Sequence, residues 1–118
     1  MAATFKNVIK PQVGKPATAE SDWTTIYTAP SGKTSYIIQC DISCVGTTGV
    51  QTSVRIKKAD TTTIGHLVKM APVPIGSAIQ VIDGQKLVLE PGDSLQVVCE
   101  TVSEKVDVIV SLIEDVNE

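Results

Sequence analysis

The chain has 118 residues, 42% of them apolar and 19% charged, with a formal charge of -3 and a pI near 5.1. That length holds one ordinary domain, and the balance is that of a globular protein, not of a disordered or coiled-coil chain. The acidity argues against a protein that coats nucleic acid or an anionic membrane, and no apolar run approaches the roughly 18–20 residues that span a bilayer.

Valine, isoleucine and threonine supply 41 residues, whereas leucine supplies five and alanine eight. β-Branched side chains lose rotamer freedom in a helix and pack well on a pleated sheet, so the composition predicts an all-β domain. Residues 1–22 read as an extended arm carrying Pro11, Gly14 and Pro16, with one strand-like piece at Phe5–Ile9. The opening MAATFKNVIKPQVGK has no uninterrupted apolar stretch, so no cleaved secretory signal is expected.

Trp23–Thr28 alternates and predicts a strand, closed by the turn Ala29-Pro30-Ser31-Gly32. Tyr36, Ile38, Cys40, Ile42 and Cys44 fall at period two and predict one buried face, opposite Gln39, Asp41 and Ser43. After Gly46–Gly49, Val50, Val54 and Ile56 are expected inside, with Gln51, Ser53, Arg55 and Lys57 outside. A polar connection, 59–63, leads to a strand over Ile64–Met70. The segment Ala71–Ser77 is apolar but holds Pro72 and Pro74, which excludes a central strand. Two short strands are expected at Ile79–Ile82 and Lys86–Leu89, split by Asp83-Gly84. Beyond the Glu90–Asp93 turn come strands at Leu95–Glu100 and Lys105–Ile113. About eight short strands at such spacing predict a single jelly-roll-like β-sandwich over residues 23–118, behind the arm at 1–22.

No constellation of residues points to a reaction. Ser31-Gly32-Lys33-Thr34 matches the tail of a phosphate-binding loop, but Tyr27 stands where the pattern needs glycine, and a strand follows where it needs a helix. Cys40 and Cys44 are four apart on one strand, about 13 Å between Cα atoms, too far for a disulfide or a shared zinc. Buried reduced thiols are the expectation for these two and Cys99. His66, the one histidine, is in phase with Ile64, Val68 and Met70, as a core-edge or interface residue would be. The acidic residues are scattered, and none of their spacings matches a calcium loop. No catalytic residue, metal ligand or cofactor is therefore expected.

From Thr25-Ile26-Tyr27-Thr28-Ala29-Pro30-Ser31-Gly32-Lys33-Thr34 onward the sequence resembles small virion proteins of tailed bacteriophages, of the marine and cyanobacterial phage type. The later shared pieces are Val73-Pro74-Ile75-Gly76-Ser77, Leu87–Asp93 and Val108–Glu114, so the resemblance covers roughly residues 24–114. It implies a non-enzymatic structural protein of the particle, found in the virion after assembly in the host cytoplasm. Capsid decoration or cement is the first reading, and a neck or tail accessory the second. Other virion proteins would be its partners, the major capsid protein or neck and tail proteins, with further copies of itself in a homo-oligomer. Neither nucleic acid nor membrane is expected to bind.

Phe5, Val8, Ile9 and Pro11 in the arm, with Pro72, Pro74 and Ile75 in the prolyl segment, are the expected contact residues. An alternative from another class is a carbohydrate- or ligand-binding sandwich, such as a receptor-binding tip, using Trp23, Tyr27 or Tyr36. A third reading, an enzyme built on Cys99 and His66, finds no nucleophile turn to support it.

Overall fold

Two antiparallel sheets face each other, each of four strands. The computed structural model describes residues 4–14, 23–46, 48–60, 62–100 and 105–114. Among these the chain forms β1 (Thr4–Val13), β2 (Thr24–Thr28), β3 (Ser35–Cys44), β4 (Val50–Lys57), β5 (Ile64–Val73), β6 (Ala78–Leu89), β7 (Ser94–Cys99) and β8 (Val106–Glu114). The first sheet has the order β1-β8-β3-β6 and the second β2-β7-β4-β5. Successive strands thus pass between the sheets, with β4 and β5 as the one pair that stays in its own, and the first strand lies beside the last. That is jelly-roll topology, and the all-β sandwich expected from composition is what forms.

The core lies between the sheets. Ile37, Ile42, Leu89, Val106, Val108, Val110 and Leu112 from the first meet Val54, Leu95 and Val97 from the second, all fully buried. β8 shows why the sequence folds this way: its even-numbered residues from Val106 to Glu114 are buried, while the odd-numbered ones are half-buried or exposed.

Three elements differ from their sequence expectation. The strand foreseen at Phe5–Ile9 runs from Thr4 to Val13 and sits on the chain's own sheet, paired with β8 from Thr4↔Glu114 to Val13↔Val106. Residues 15–22 of the expected arm lie outside the described residues. In β3 the inward set is Ser35, Ile37, Cys40, Ile42 and Cys44, so Tyr36 and Ile38 are not in the buried face. The ladders to both β6 and β8 slip between Ile37 and Gln39, and this bulge at Ile38 adds one residue and inverts the alternation. The two short strands near Asp83-Gly84 are one strand, β6. There the pairing jumps from Ile37↔Leu87 to Gln39↔Asp83, so the turn dipeptide is absorbed in the slip.

Pro72 lies in β5, opposite Gln51 at the open edge of the second sheet, an edge position to which proline in sheets is confined. At one end of the sandwich the β2–β3, β4–β5 and β6–β7 loops are bound together. Ala29 N donates to Asp93 O at 2.9 Å, and Gly92 N to Ala29 O at 3.0 Å. The buried Asp93 carboxylate accepts from Lys58 Nζ at 2.8 Å, Glu90 N at 3.0 Å and Ala59 N at 3.2 Å. Gly92 has φ +88°, and a Cβ there would stand 2.7 Å from that of Ala59, so the junction requires glycine.

Candidate interaction surface

Directly opposed residues in an antiparallel ladder point to the same face, so the pairings assign the outer surface of the first sheet. One row crosses all four strands: Phe5↔Ile113, Ile113↔Tyr36 and Tyr36↔Val88. It is apolar throughout and, at about 4.8 Å between strands, spans about 14 Å. Phe5 is 75% exposed and Val88 51%, with Ile113 and Tyr36 half-buried between them. A second apolar pair, Ile9↔Ile109, lies beyond the polar row Asn7–Ser111–Gln39 and is 57% and 41% exposed. A soluble monomer leaves single apolar residues in water routinely, whereas a connected stretch marks a surface that meets something.

The inner face of β1 is held by a polar cluster. Lys6 Nζ lies 2.9 Å from Glu114 Oε1, while Tyr27 Oη donates to Glu114 Oε2 at 2.6 Å and lies 2.8 Å from Ser35 Oγ. The Tyr27 hydrogen bond, followed by that of Lys6, holds the Glu114 carboxyl below the usual glutamate range. Burial first, and the adjoining Glu114 second, push the Tyr27 phenol up to about 12. Sequence-distant strands β1, β2, β3 and β8 meet at this carboxylate. Farther along β1, Gln12 takes φ 56° at the bulge, and its N–H donates to Asp107 Oδ1 at 2.8 Å.

The outer surface of the second sheet is different. Ser53, Arg55, Gln96 and Val98 are all buried there. Arg55 Nε donates to Gln96 Oε1 at 2.7 Å, and Gln96 Nε2 to Thr25 Oγ1 at 3.1 Å. The Arg55 guanidinium stacks 4.0 Å from the centroid of Trp23, and His66 meets the same indole edge-on at 5.8 Å. One Trp23 face is therefore occupied by Arg55, and the Tyr27 hydroxyl is engaged within the sandwich. Cys99 faces the core while His66, opposite Arg55, is on the outer surface, so the two sit on opposite sides of the sheet. The three cysteines are buried free thiols, and burial, then Asp41, pushes Cys40 up to about 12. Among the described residues no group of three His, Cys, Asp or Glu side chains is placed to hold a metal ion. Lys33 N closes a turn on Pro30 O at 3.1 Å, with Gly32 at φ 74°, and β3 follows, so Ser31–Thr34 belongs to a tight turn between the two sheets and is not a phosphate loop.

The contact residues expected from sequence separate into two groups. Phe5 and Ile9 lie on the outer surface of the first sheet, Val8 points inward against the core, and Pro11 is exposed beside the bulge. Pro72, Pro74 and Ile75 belong to the β5 edge of the second sheet and the turn after it; all three are exposed. β1 borders β2 and β5 borders β6, which places the groups on opposite long edges of the sandwich. Tyr36, Val88, Ile109 and Ile113 were not foreseen as surface partners of Phe5 and Ile9. The outward alternation of β8 pointed to Ile109 and Ile113, but which residues adjoin Phe5 depends on cross-strand register.

No protein-family model matches the sequence, and no curated protein does. Two solved structures are similar in fold. One is a chain of the acidic stable capsid structure of Helicobacter pylori bacteriophage KHP30, at TM-score 0.51 and 10% identity, covering 97% of this chain and 87% of that one. The other is the structure of infectious bursal disease virus Gt strain, at TM-score 0.50 and 9% identity. There the match covers 95% of this chain and 32% of the larger one. At such identity the likeness is one of fold, a viral capsid-type β-sandwich, and it does not single out the marine and cyanobacterial group.

Proposed function

We propose that this chain is a non-enzymatic structural protein of a bacteriophage particle, attached through the outer surface of its first sheet. The apolar row Phe5–Ile113–Tyr36–Val88 carries this reading, because it gives a connected contact surface, and among the described residues no metal-binding group is assembled. Burying apolar area is the general driving force of such association. The fold shared with a phage capsid chain supports the setting, and the sequence resemblance points the same way. Decoration or cement on the head, bound to the major capsid protein, is favoured over a neck or tail position. A single jelly roll with a connected apolar row on its outer surface suits a clamp better than a receptor-reading tip.

Copy number per purified virion, by quantitative mass spectrometry, tests the reading. A number on the scale of the capsid lattice supports head decoration, and a small multiple of the tail symmetry moves the protein to the neck or tail. Absence from the particle overturns the proposal. Phe5→Ser and Val88→Ser should release the protein from particles while leaving its fold intact, since both side chains are more than half exposed.

A further inference from the structure

We infer that β1 is a pairing edge for a second copy of this chain, joined about a two-fold axis at Asn7. β1 ends the first sheet, so the backbone groups on its outer side face away from β8, and nearly all its side chains are exposed. Long apolar edges of this kind attract another strand, and proteins usually block them with inward lysine, proline or a bulge. Here the blocks are confined to one end: Pro11 and the positive-φ Gln12 follow the regular stretch Thr4–Lys10. The inward Lys6 is committed to Glu114 at 2.9 Å.

The occupant follows from register. A two-fold axis perpendicular to the sheet keeps outward residues opposite outward residues, and three centres keep most of the strand paired. Centring on Lys6 sets that lysine against its own copy, and centring on Val8 sets Lys6 against Lys10; both oppose like charges. Centring on Asn7 sets Phe5 against Ile9 twice, Lys6 against Val8 and Lys10 against Thr4, with no like charges opposed. Pro11 then falls beyond the ladder. This register covers the two most exposed apolar residues of β1 with each other, and it is self-complementary, as an isologous contact must be.

The pairing joins two four-stranded sheets edge to edge, so both apolar rows face the same side. A strand pair of this length is far smaller than the roughly 20–30 residues a side of a stable interface, and the free dimer is weak and concentration-dependent. On a particle, where both rows dock together, attachment is strengthened by effective concentration. That consequence rests on the function proposed above; the pairing itself does not.

The test is mild oxidation of the full-length Asn7→Cys variant in solution, read on non-reducing gels over a concentration series. Opposed residues in an antiparallel pair have Cα atoms about 4.5–5.5 Å apart, within disulfide reach. The native cysteines are buried, so the introduced thiol dominates the reaction. Disulfide dimer should form at least tenfold faster than in Lys10→Cys, whose thiols the register holds about 20 Å apart. Adding Phe5→Ser and Ile9→Ser should remove that advantage. Equal rates for the two cysteine variants overturn the inference. So does an intermolecular cross-link in Asn7→Cys/Ser111→Cys that Asn7→Cys alone does not form, because β1 would then be exchanged onto a neighbour's β8. A dimer that forms as expected, with the protein absent from virions, defeats the function reading and leaves the pairing standing.

Discussion

Replacing Tyr27 with phenylalanine removes one oxygen from the point where four strands meet. The hydroxyl donates to Glu114 Oε2 at 2.6 Å and, with its own proton committed there, accepts from Ser35 Oγ at 2.8 Å. A hydrogen bond to a charged group contributes roughly 1.5–3 kcal/mol, and a buried hydroxyl left without a partner costs about 1–3 kcal/mol. Ser35 is fully buried and Glu114 nearly so, although the two losses share one oxygen and do not add fully. Tyr27→Phe should therefore destabilise the fold by about 2–4 kcal/mol at pH 7. The penalty must also depend on pH. Glu114 titrates below the glutamate range in the folded chain, with Tyr27 as the largest cause, so the stabilisation is complete above the unfolded value of about 4.3. It is lost as pH falls through the folded value. Urea unfolding of both proteins at pH 7 and pH 3 measures this, and the gap between them should narrow at pH 3. A penalty below about 0.5 kcal/mol at pH 7, or one of equal size at both pH values, would refute a charge-assisted bond at this site.

Other consequences are open to equally direct checks. The Tyr27 phenol titrates near 12, above its ordinary value, so its contribution is intact below about pH 10 and lost as pH rises toward 12; absorbance at 295 nm should show one of the two tyrosines ionising late. Thr52 Oγ1 is buried without a partner, and Thr52→Val should raise stability by about 1 kcal/mol in chemical denaturation. Asp93→Ala strands three donors, Lys58 Nζ, Ala59 N and Glu90 N, from two loops and should cost about 3 kcal/mol by the same measurement. Leu112→Ala should cost about 2–5 kcal/mol, whereas Phe5→Ser should stay within about 0.5 kcal/mol, which separates folding from attachment. The three thiols should react with a bulky disulfide reagent only as fast as the chain unfolds.

Local pattern carried the sequence reading as far as local pattern reaches. The alternation Val106, Val108, Val110 and Leu112 announces a half-buried strand, and the structure buries all four. In β3 the same logic inverted the first half of the strand, because a bulge at Ile38 is decided by two neighbouring ladders and not by β3 itself. Asp83-Gly84 carries the chemistry of a turn, yet Asp83 pairs with Gln39 and Leu87 with Ile37, so β6 continues on β3 across the slip. Phe5 and Ile9 were singled out as apolar residues in a polar segment. Their companions Ile113, Tyr36 and Val88 come from residues far apart in the chain, and only the β1-β8-β3-β6 order aligns them. The Lys6–Glu114–Tyr27–Ser35 cluster escaped notice for the same reason: each member is unremarkable until the fold brings it to the others.

Thr4 pairs with Glu114, so during synthesis β1 can reach its place only when β8 has followed it. At translation rates of about 5–20 residues per second, that is a delay on the order of ten seconds. Throughout it Phe5 and Ile9 have no β8 to lie against, in a chain whose other strands are rich in valine and isoleucine. Lys6, Lys10 and Pro11 are interleaved with them, and charges and proline beside apolar strand residues act as gatekeepers against premature association. Lys6 finds Glu114, and Gln12 finds Asp107, only after β8 has been made. These two contacts make closure of the sandwich an event that waits for β8.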